Sequence, residues 1–182
     1  MPSLDVELRI LAEDGSEAPI GTPGEIVVRA PSAVDGYHRA PELTRQTFAE
    51  DGWVHTRDIG QLDERGYLTL KDRTSDMIVT GGYNVYPLEV ENALSAHPAV
   101  LECCVVGLPD EKWVEAVSAA VVLREGATVA AEDLVDLVAG TLAGYKKPKR
   151  VFFVGEVPKT TVGKLNRRAL RELLGSELPG GE

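Results

Sequence analysis

Lysine and glycine meet in one turn-like run that could do chemistry, Pro158-Lys-Thr-Thr-Val-Gly-Lys164. A lysine on a glycine-containing loop presents an ammonium that can donate hydrogen bonds to phosphate oxygens. The run is not a P-loop, which needs glycine at the position of Pro158 and Ser or Thr at the position of Leu165. No Gly-x-Ser-x-Gly elbow occurs, and His38, His55 and His97 are too scattered to argue for a triad or a metal site, so each is expected to be structural. Cys103 and Cys104 are adjacent in an apolar run, where a disulfide is geometrically awkward and burial as small hydrophobes is the expectation. No cysteine metal site can be built from them. Gly81-Gly82, after a strand through Val79, reads locally as a plain hairpin turn.

The charge that surrounds these residues is uneven. The chain has 19 Lys and Arg against 29 Asp and Glu, a net of -10, which argues against general nucleic-acid binding. Yet Gly144 to Arg171 holds 9 basic residues and a single acid, Glu156, whereas Met1 to Ala143 holds 10 basic and 25 acidic residues. A solvated basic helix face accounts for Arg167, Arg168 and Arg171, but not for Lys159 and Lys164 on their turn. With 182 residues, 43% of them hydrophobic, the chain has room for one ordinary domain or two small ones with a packed core. Its longest apolar stretches, such as Val117 to Leu123 with Ser118 inside, are far short of the roughly 20 residues of a membrane span. No secretory signal pattern opens the chain, so the expected compartment is the cytoplasm.

The elements that must hold these side chains fall into two styles. Residues 1 to 72 read as β: Leu4 to Leu11 alternates, Gly24 to Arg29 is a short strand, and Asp63-Glu-Arg-Gly66 turns between two more. Short strands with Gly and Pro turns predict a small barrel or sandwich piece. After Asp76 strands and helices alternate. Pro87 opens a helix through Val90, Ala93 and Leu94 that stops at His97-Pro98. Strands over Val100 to Leu108 and Val114 to Leu123, a helix through Leu134 to Leu142, a strand over Arg150 to Val154 and a helix over Asn166 to Leu174 complete an α+β half.

Taken together, Asp51-Gly-Trp-Val-His-Thr-Arg-Asp58, Asp63-Glu-Arg-Gly-Tyr67, Asp72-Arg-Thr-Ser-Asp-Met-Ile78, Gly81-Gly-Tyr-Asn-Val-Tyr-Pro87, Leu88-Glu-Val-Glu91, Tyr145-Lys-Lys-Pro148 and the Lys164 run resemble the adenylate-forming enzymes, specifically the C-terminal portion of an AMP-forming acyl-CoA synthetase. The resemblance implies an α+β fold. Residues 1–72 would be the β-barrel-like end of the large N-terminal domain, 73–76 a hinge, 77–175 a small mobile α+β domain, and 176–182 a tail.

Such enzymes use ATP to convert a carboxylic acid to an acyl-adenylate with release of pyrophosphate, then pass the acyl group to the thiol of coenzyme A. The resemblance assigns Asp58 to the ribose hydroxyls, a task that suits a carboxylate with two acceptor oxygens, and Arg73 to the ribose as well. The usual tripeptide is Thr-Gly-Asp, where this chain has Thr56-Arg57-Asp58. Ser75 falls at the hinge, where Asp or Lys is common. Lys164 matches the lysine that bridges the acid's carboxylate and the α-phosphate during adenylation, and Gly81 and Gly82 match the face that meets the pantetheine arm of CoA, glycine allowing close passage. Trp113-Val114-Glu115 sits where many relatives have Gly-Glu after an aromatic residue, and only packing is expected of it. Substrates are then ATP (leaving AMP), CoA and a fatty or cyclic carboxylic acid. Mg2+ is expected for the family, with its ligand outside this sequence; no metal ligand, nucleic-acid partner or membrane span is assigned here.

The phosphate loop, the adenine and magnesium segment and the acyl pocket of the family do not occur in this sequence. Little activity by the chain alone is therefore expected. The alternatives are a chain that complements a separate polypeptide bearing the N-terminal domain, and a non-catalytic module that binds nucleotide, CoA or a protein partner.

Overall fold

The computed structural model describes residues 5–176, which divide into two compact units that part between Ser75 and Asp76. The fold is α+β. The stretch of the expected tail beyond Ser176, and Leu4 of the expected first strand, lie outside the described residues.

The first unit is a four-stranded antiparallel sheet, β1 (Glu7–Leu11), β2 (Gly24–Arg29), β3 (Val54–Leu62) and β4 (Leu68–Arg73), in that spatial order. Ile10 pairs with Ile26 on one face of the sheet, whereas Val27, the next residue along, is buried on the other, and Ile59 is buried as well. Trp53 is buried and lines a hollow with Arg9, Val27 and His55. The guanidinium carbons of Arg9 and Arg29 lie 4.6 and 4.9 Å from the Trp53 ring centre. The expected barrel or sandwich piece is this four-stranded sheet, and no closed barrel is formed among the described residues. An all-β reading of this half missed α1 (Pro41–Thr47), a helix of seven residues with proline in its first turn, too short to show a helical period.

The second unit carries a five-stranded sheet in the order β6-β5-β8-β7, with β9 parallel to β8. Its elements are β5 (Ile78–Thr80), β6 (Tyr83–Val85), α2 (Pro87–Ser95), β7 (Val100–Asp110), β8 (Val114–Leu123), α3 (Ala131–Thr141), β9 (Arg150–Phe153) and α4 (Arg167–Ser176). β7 and β8 are nearly continuous apolar runs because both faces of the sheet are covered. On one face Val105, Val117 and Val121 pack with Val90 and Leu94 of α2 and Leu134 and Val138 of α3. On the other, Cys104, Val106 and Leu108 pack with Leu170 and Leu174 of α4.

Adjacent strand residues point to opposite faces, so Cys103 joins the first cluster and Cys104 the second, and both are free thiols. Burial pushes the Cys103 thiol up and the Cys104 thiol up to about 12, so neither is a ready nucleophile at neutral pH.

One ion pair joins the two faces at the edge of the sheet. Glu91 of α2 accepts the backbone N–H of Val105 at 2.8 Å, and both of its oxygens accept from the Arg167 guanidinium of α4 at 2.8 Å. Glu91 is buried and Arg167 largely so, with side chains 8% and 14% exposed. Removing one partner of such a pair leaves an uncompensated charge in the interior, which typically costs about 3–5 kcal/mol. Arg167→Met is therefore expected to lower the unfolding free energy by about that amount in urea denaturation. An unchanged midpoint would show that Glu91 needs no cation.

Candidate functional site

Lys164 stands on a hairpin built by its own sequence. Gly163 N–H donates to the Thr160 carbonyl at 2.9 Å, and Thr160 N–H to the Lys164 carbonyl at 2.7 Å. Gly163 takes φ +80°, the left-handed bulge position that follows a type I turn in a three-residue hairpin loop. The Thr160 hydroxyl oxygen accepts the Lys164 N–H at 3.2 Å. Asp63 to Tyr67 uses the same turn chemistry, with the Asp63 carboxylate in the place of the threonine hydroxyl and Gly66 at φ +76°. Beyond the hairpin Leu165 packs into the α4-side cluster, and the Asn166 side chain accepts the Ala169 N–H at 3.1 Å to cap α4. The lysine is exposed, directly before a rigid anchor.

Most of the basic segment is spent on structure. Lys146 pairs with Glu89 at 2.7 Å, Arg150 with Asp110 at 2.8 Å, Lys159 with Glu102 at 3.0 Å, and Arg168 with Glu172 at 3.1 Å, beside the Arg167 pair already described. Lys164 takes part in none of the ion pairs of the described residues. Its ammonium is thus available to an anion.

Gly81 and Gly82 form the β5–β6 turn, at φ +57° and +83°. Residues expected only to pack turn out to build it. The Trp113 carbonyl accepts the Gly81 N–H at 2.9 Å, and a Cβ on Gly81 would fall 2.9 Å from the Trp113 ring. Glu115 accepts the Val79 N–H at 2.8 Å. Gly82 has no atom near the place of a Cβ, so the space beside it is open. The Lys149 ammonium lies 4.5 Å from the centre of the Trp113 ring, and Tyr83 stacks on Tyr145 with centroids 4.5 Å apart. Sequence reasoning could have found Trp113 only by pairing β8 with β5, which one bridge, Thr80 with Val114, accomplishes.

In the first unit Asp58 and Arg73 face each other across β3 and β4, and Arg73 Nε lies 3.3 Å from Asp58 Oδ1. Asp58 sits on an interruption of the β2–β3 register, held by the Thr56 hydroxyl, which accepts the Asp58 N–H at 3.1 Å and donates to the Ile26 carbonyl at 2.7 Å. Arg57 keeps a left-handed backbone, φ +61°. Four contacts hold it there: Glu25 accepts its N–H at 3.1 Å, Gln46 accepts from its guanidinium at 3.0 Å, and Thr74 donates to its carbonyl through N–H at 2.9 Å and hydroxyl at 3.1 Å. Ser75 closes the unit beside a hollow of ≈ 410 Å³ lined also by Glu25, Gln46, His55, Arg57 and Thr74. A larger hollow of ≈ 660 Å³ along Asp5 to Glu7 contains none of the sequence-predicted residues. Among the described residues no group of His, Cys, Asp and Glu is arranged to hold a metal, and no helix is long and apolar enough to cross a membrane.

The AMP-binding enzyme C-terminal domain family matches residues 89–164. A 2-succinylbenzoate–CoA ligase of Bacillus cereus (strain ATCC 10987 / NRS 248) is 44% identical over 173 residues, 95% of this chain and 35% of the ligase. ATP-bound MatB from Rhodopseudomonas palustris superposes with a TM-score of 0.88 at 40% identity, over 95% of this chain and 35% of MatB. The amide bond synthetase McbA from Marinactinospora thermotolerans does so at 0.87 and 42%, over 93% of this chain and 35% of McbA. The chain spans about a third of the length of the relatives it matches and corresponds to their C-terminal part.

Val114, like Arg57, keeps a positive φ, +70°, which a β-branched residue adopts only under strain. Left-handed strain of about 1–2 kcal/mol, partly offset by the flexibility glycine adds to the unfolded chain, predicts that Val114→Gly stabilises by about 1 kcal/mol in chemical denaturation. Gly81→Ala is expected to destabilise more than Gly82→Ala, since both meet the backbone strain but only Gly81 meets the Trp113 ring. Equal losses would remove Trp113 from the turn.

Proposed function

The chain belongs, through residues 89–164, to the AMP-binding enzyme C-terminal domain family, and from that premise we propose that it supplies the C-terminal part of an acid–CoA ligase that works through an acyl-adenylate. The observation that carries this reading is the free ammonium of Lys164 on a hairpin whose turn, bulge and cap are all satisfied internally.

In the proposed reaction Lys164 donates to the acid's carboxylate and to the α-phosphate oxygen, where negative charge gathers as pyrophosphate leaves. A cation held in advance at that point lowers the barrier without reorganising. Asp58 accepts from the ribose hydroxyls, and Arg73, already 3.3 Å from Asp58, donates to the ribose oxygens. Ser75, at the last position of the first unit, is the pivot between half-reactions. Gly82, with nothing near the place of a Cβ, lets the pantetheine arm pass, and Gly81 keeps that turn against Trp113. The acid is fatty or cyclic, and Mg2+ belongs with residues outside this sequence. Support for CoA as acceptor comes from the 2-succinylbenzoate–CoA ligase; McbA supports a second reading in which an amine takes the acyl group.

A lysine without a positioned nucleotide contributes little, because catalysis of this kind depends on reactants held in register. The 182-residue chain alone is expected to show no acid-dependent ATP–pyrophosphate exchange. Mixed with, or joined to, the N-terminal two-thirds of a CoA ligase, it is expected to support exchange that Lys164→Ala lowers about 100- to 1,000-fold, the usual effect of losing one transition-state contact. Exchange that survives Lys164→Ala would overturn the assignment, and mass analysis of the product separates thioester from amide.

A further inference from the structure

The hairpin carries two lysines of the same reach, Lys159 and Lys164, yet only one is left for a ligand. Lys159 bridges to Leu165 across the hairpin stem, and residues directly opposite in an antiparallel pair project from the same face. Leu165 packs into the α4-side cluster, so that face is the inner one; Lys164, the next residue along, projects outward. On the inner side Glu102, from β7, meets the Lys159 ammonium at 3.0 Å. Glu102 sits two residues before Cys104, which lies in the same cluster as Leu165, so strand alternation brings its carboxylate to the hairpin's underside.

We propose that Glu102 is a positioning residue that makes the hairpin present a single free ammonium. By holding Lys159 against β7 it does two things. It ties the stem to the sheet on the side opposite Lys164, and it removes the competing cation that would otherwise draw a phosphate or carboxylate to the wrong place, five residues away. Glu102 touches no ligand; it acts through Lys159. The pair is partly exposed, 48% for Lys159 and 33% for Glu102, so its effect is a preference between lysines rather than a pillar of stability.

The proposal rests on the ligase reading only for the identity of the anion, and its test needs no catalysis. Pyridoxal 5′-phosphate, an anionic aldehyde that forms imines with lysine amines, is added to the whole chain, reduced with borohydride, and the product is read at each lysine by peptide mass spectrometry. In the unaltered chain Lys164 is expected to be modified about fivefold faster than Lys159, the upper end of what an exposed ion pair supplies. Glu102→Gln is expected to bring the two rates together by raising that of Lys159, with the far-UV circular dichroism unchanged, and Glu102→Asp, which keeps the carboxylate, is expected to retain most of the preference. A rate ratio that Glu102→Gln leaves unchanged, or that Glu102→Asp loses as fully as Glu102→Gln does, overturns the proposal. Failure of the exchange reaction with labelling as expected would count against the ligase reading and leave the role of Glu102 standing.

Discussion

The buried contact between Glu91 and Arg167 is the constraint on which the second unit depends. β7 lies at the end of the sheet order, and its backbone needs partners on the side away from β8. Glu91 supplies one acceptor for Val105 N–H, and Arg167 neutralises the carboxylate that does so. Because Glu91 belongs to α2 and Arg167 to α4, the same carboxylate also fixes the helices of opposite faces relative to each other at the strand edge. Arg167 is the first residue of α4, immediately after the Asn166 cap and the Lys164 hairpin. The placement of the candidate catalytic lysine therefore follows from a pair of charges that never meets a substrate.

Backbone conformation is the second theme. Asp63 to Tyr67 and Thr160 to Lys164 are the same hairpin in different halves of the chain: an oxygen-bearing side chain opens it and a left-handed glycine closes it. Glycine satisfies such positions without cost to its neighbours. Arg57 and Val114 do not, and each is held by its surroundings, Arg57 by Glu25, Gln46 and Thr74, and Val114 between Trp113, which accepts from Gly81, and Glu115, which accepts from Val79. Strain tolerated beside Asp58 and beside the Gly81 turn fits the general tendency of distorted backbone to gather where geometry matters more than stability.

Electrostatics sort the basic segment in a way that composition alone hides. Five of its bases bind acids within the second unit, at Glu89, Glu91, Glu102, Asp110 and Glu172. The bland reading of Arg167, Arg168 and Arg171 as a solvated helix face holds for Arg168, paired with Glu172 on the surface, and fails for Arg167, whose partly buried guanidinium is turned to Glu91. A net segment charge sums over partners that are distant in sequence and adjacent in space, so it overstates what a phosphate would meet.

Much of this was written locally. Pro87, Asn166, the glycines at 66 and 163 and the apolar runs of β7 and β8 determine their elements through bonds to near neighbours, and the motif around Lys164 is legible because hairpin, cap and lysine lie within nine residues. The short helix at Pro41 was not legible, because one helical turn or two shows no period. Nor were the partners of Lys159 and Arg167, or the part played by Trp113 and Glu115 in the Gly81 turn. Sequence separations of 57 residues for Lys159, 76 for Arg167 and 36 for Glu115 lie between those groups and what they touch. Residue type sets what a side chain can do by itself, whereas which charge is cancelled and which is left free depends on contacts that exist only after the sheet has formed.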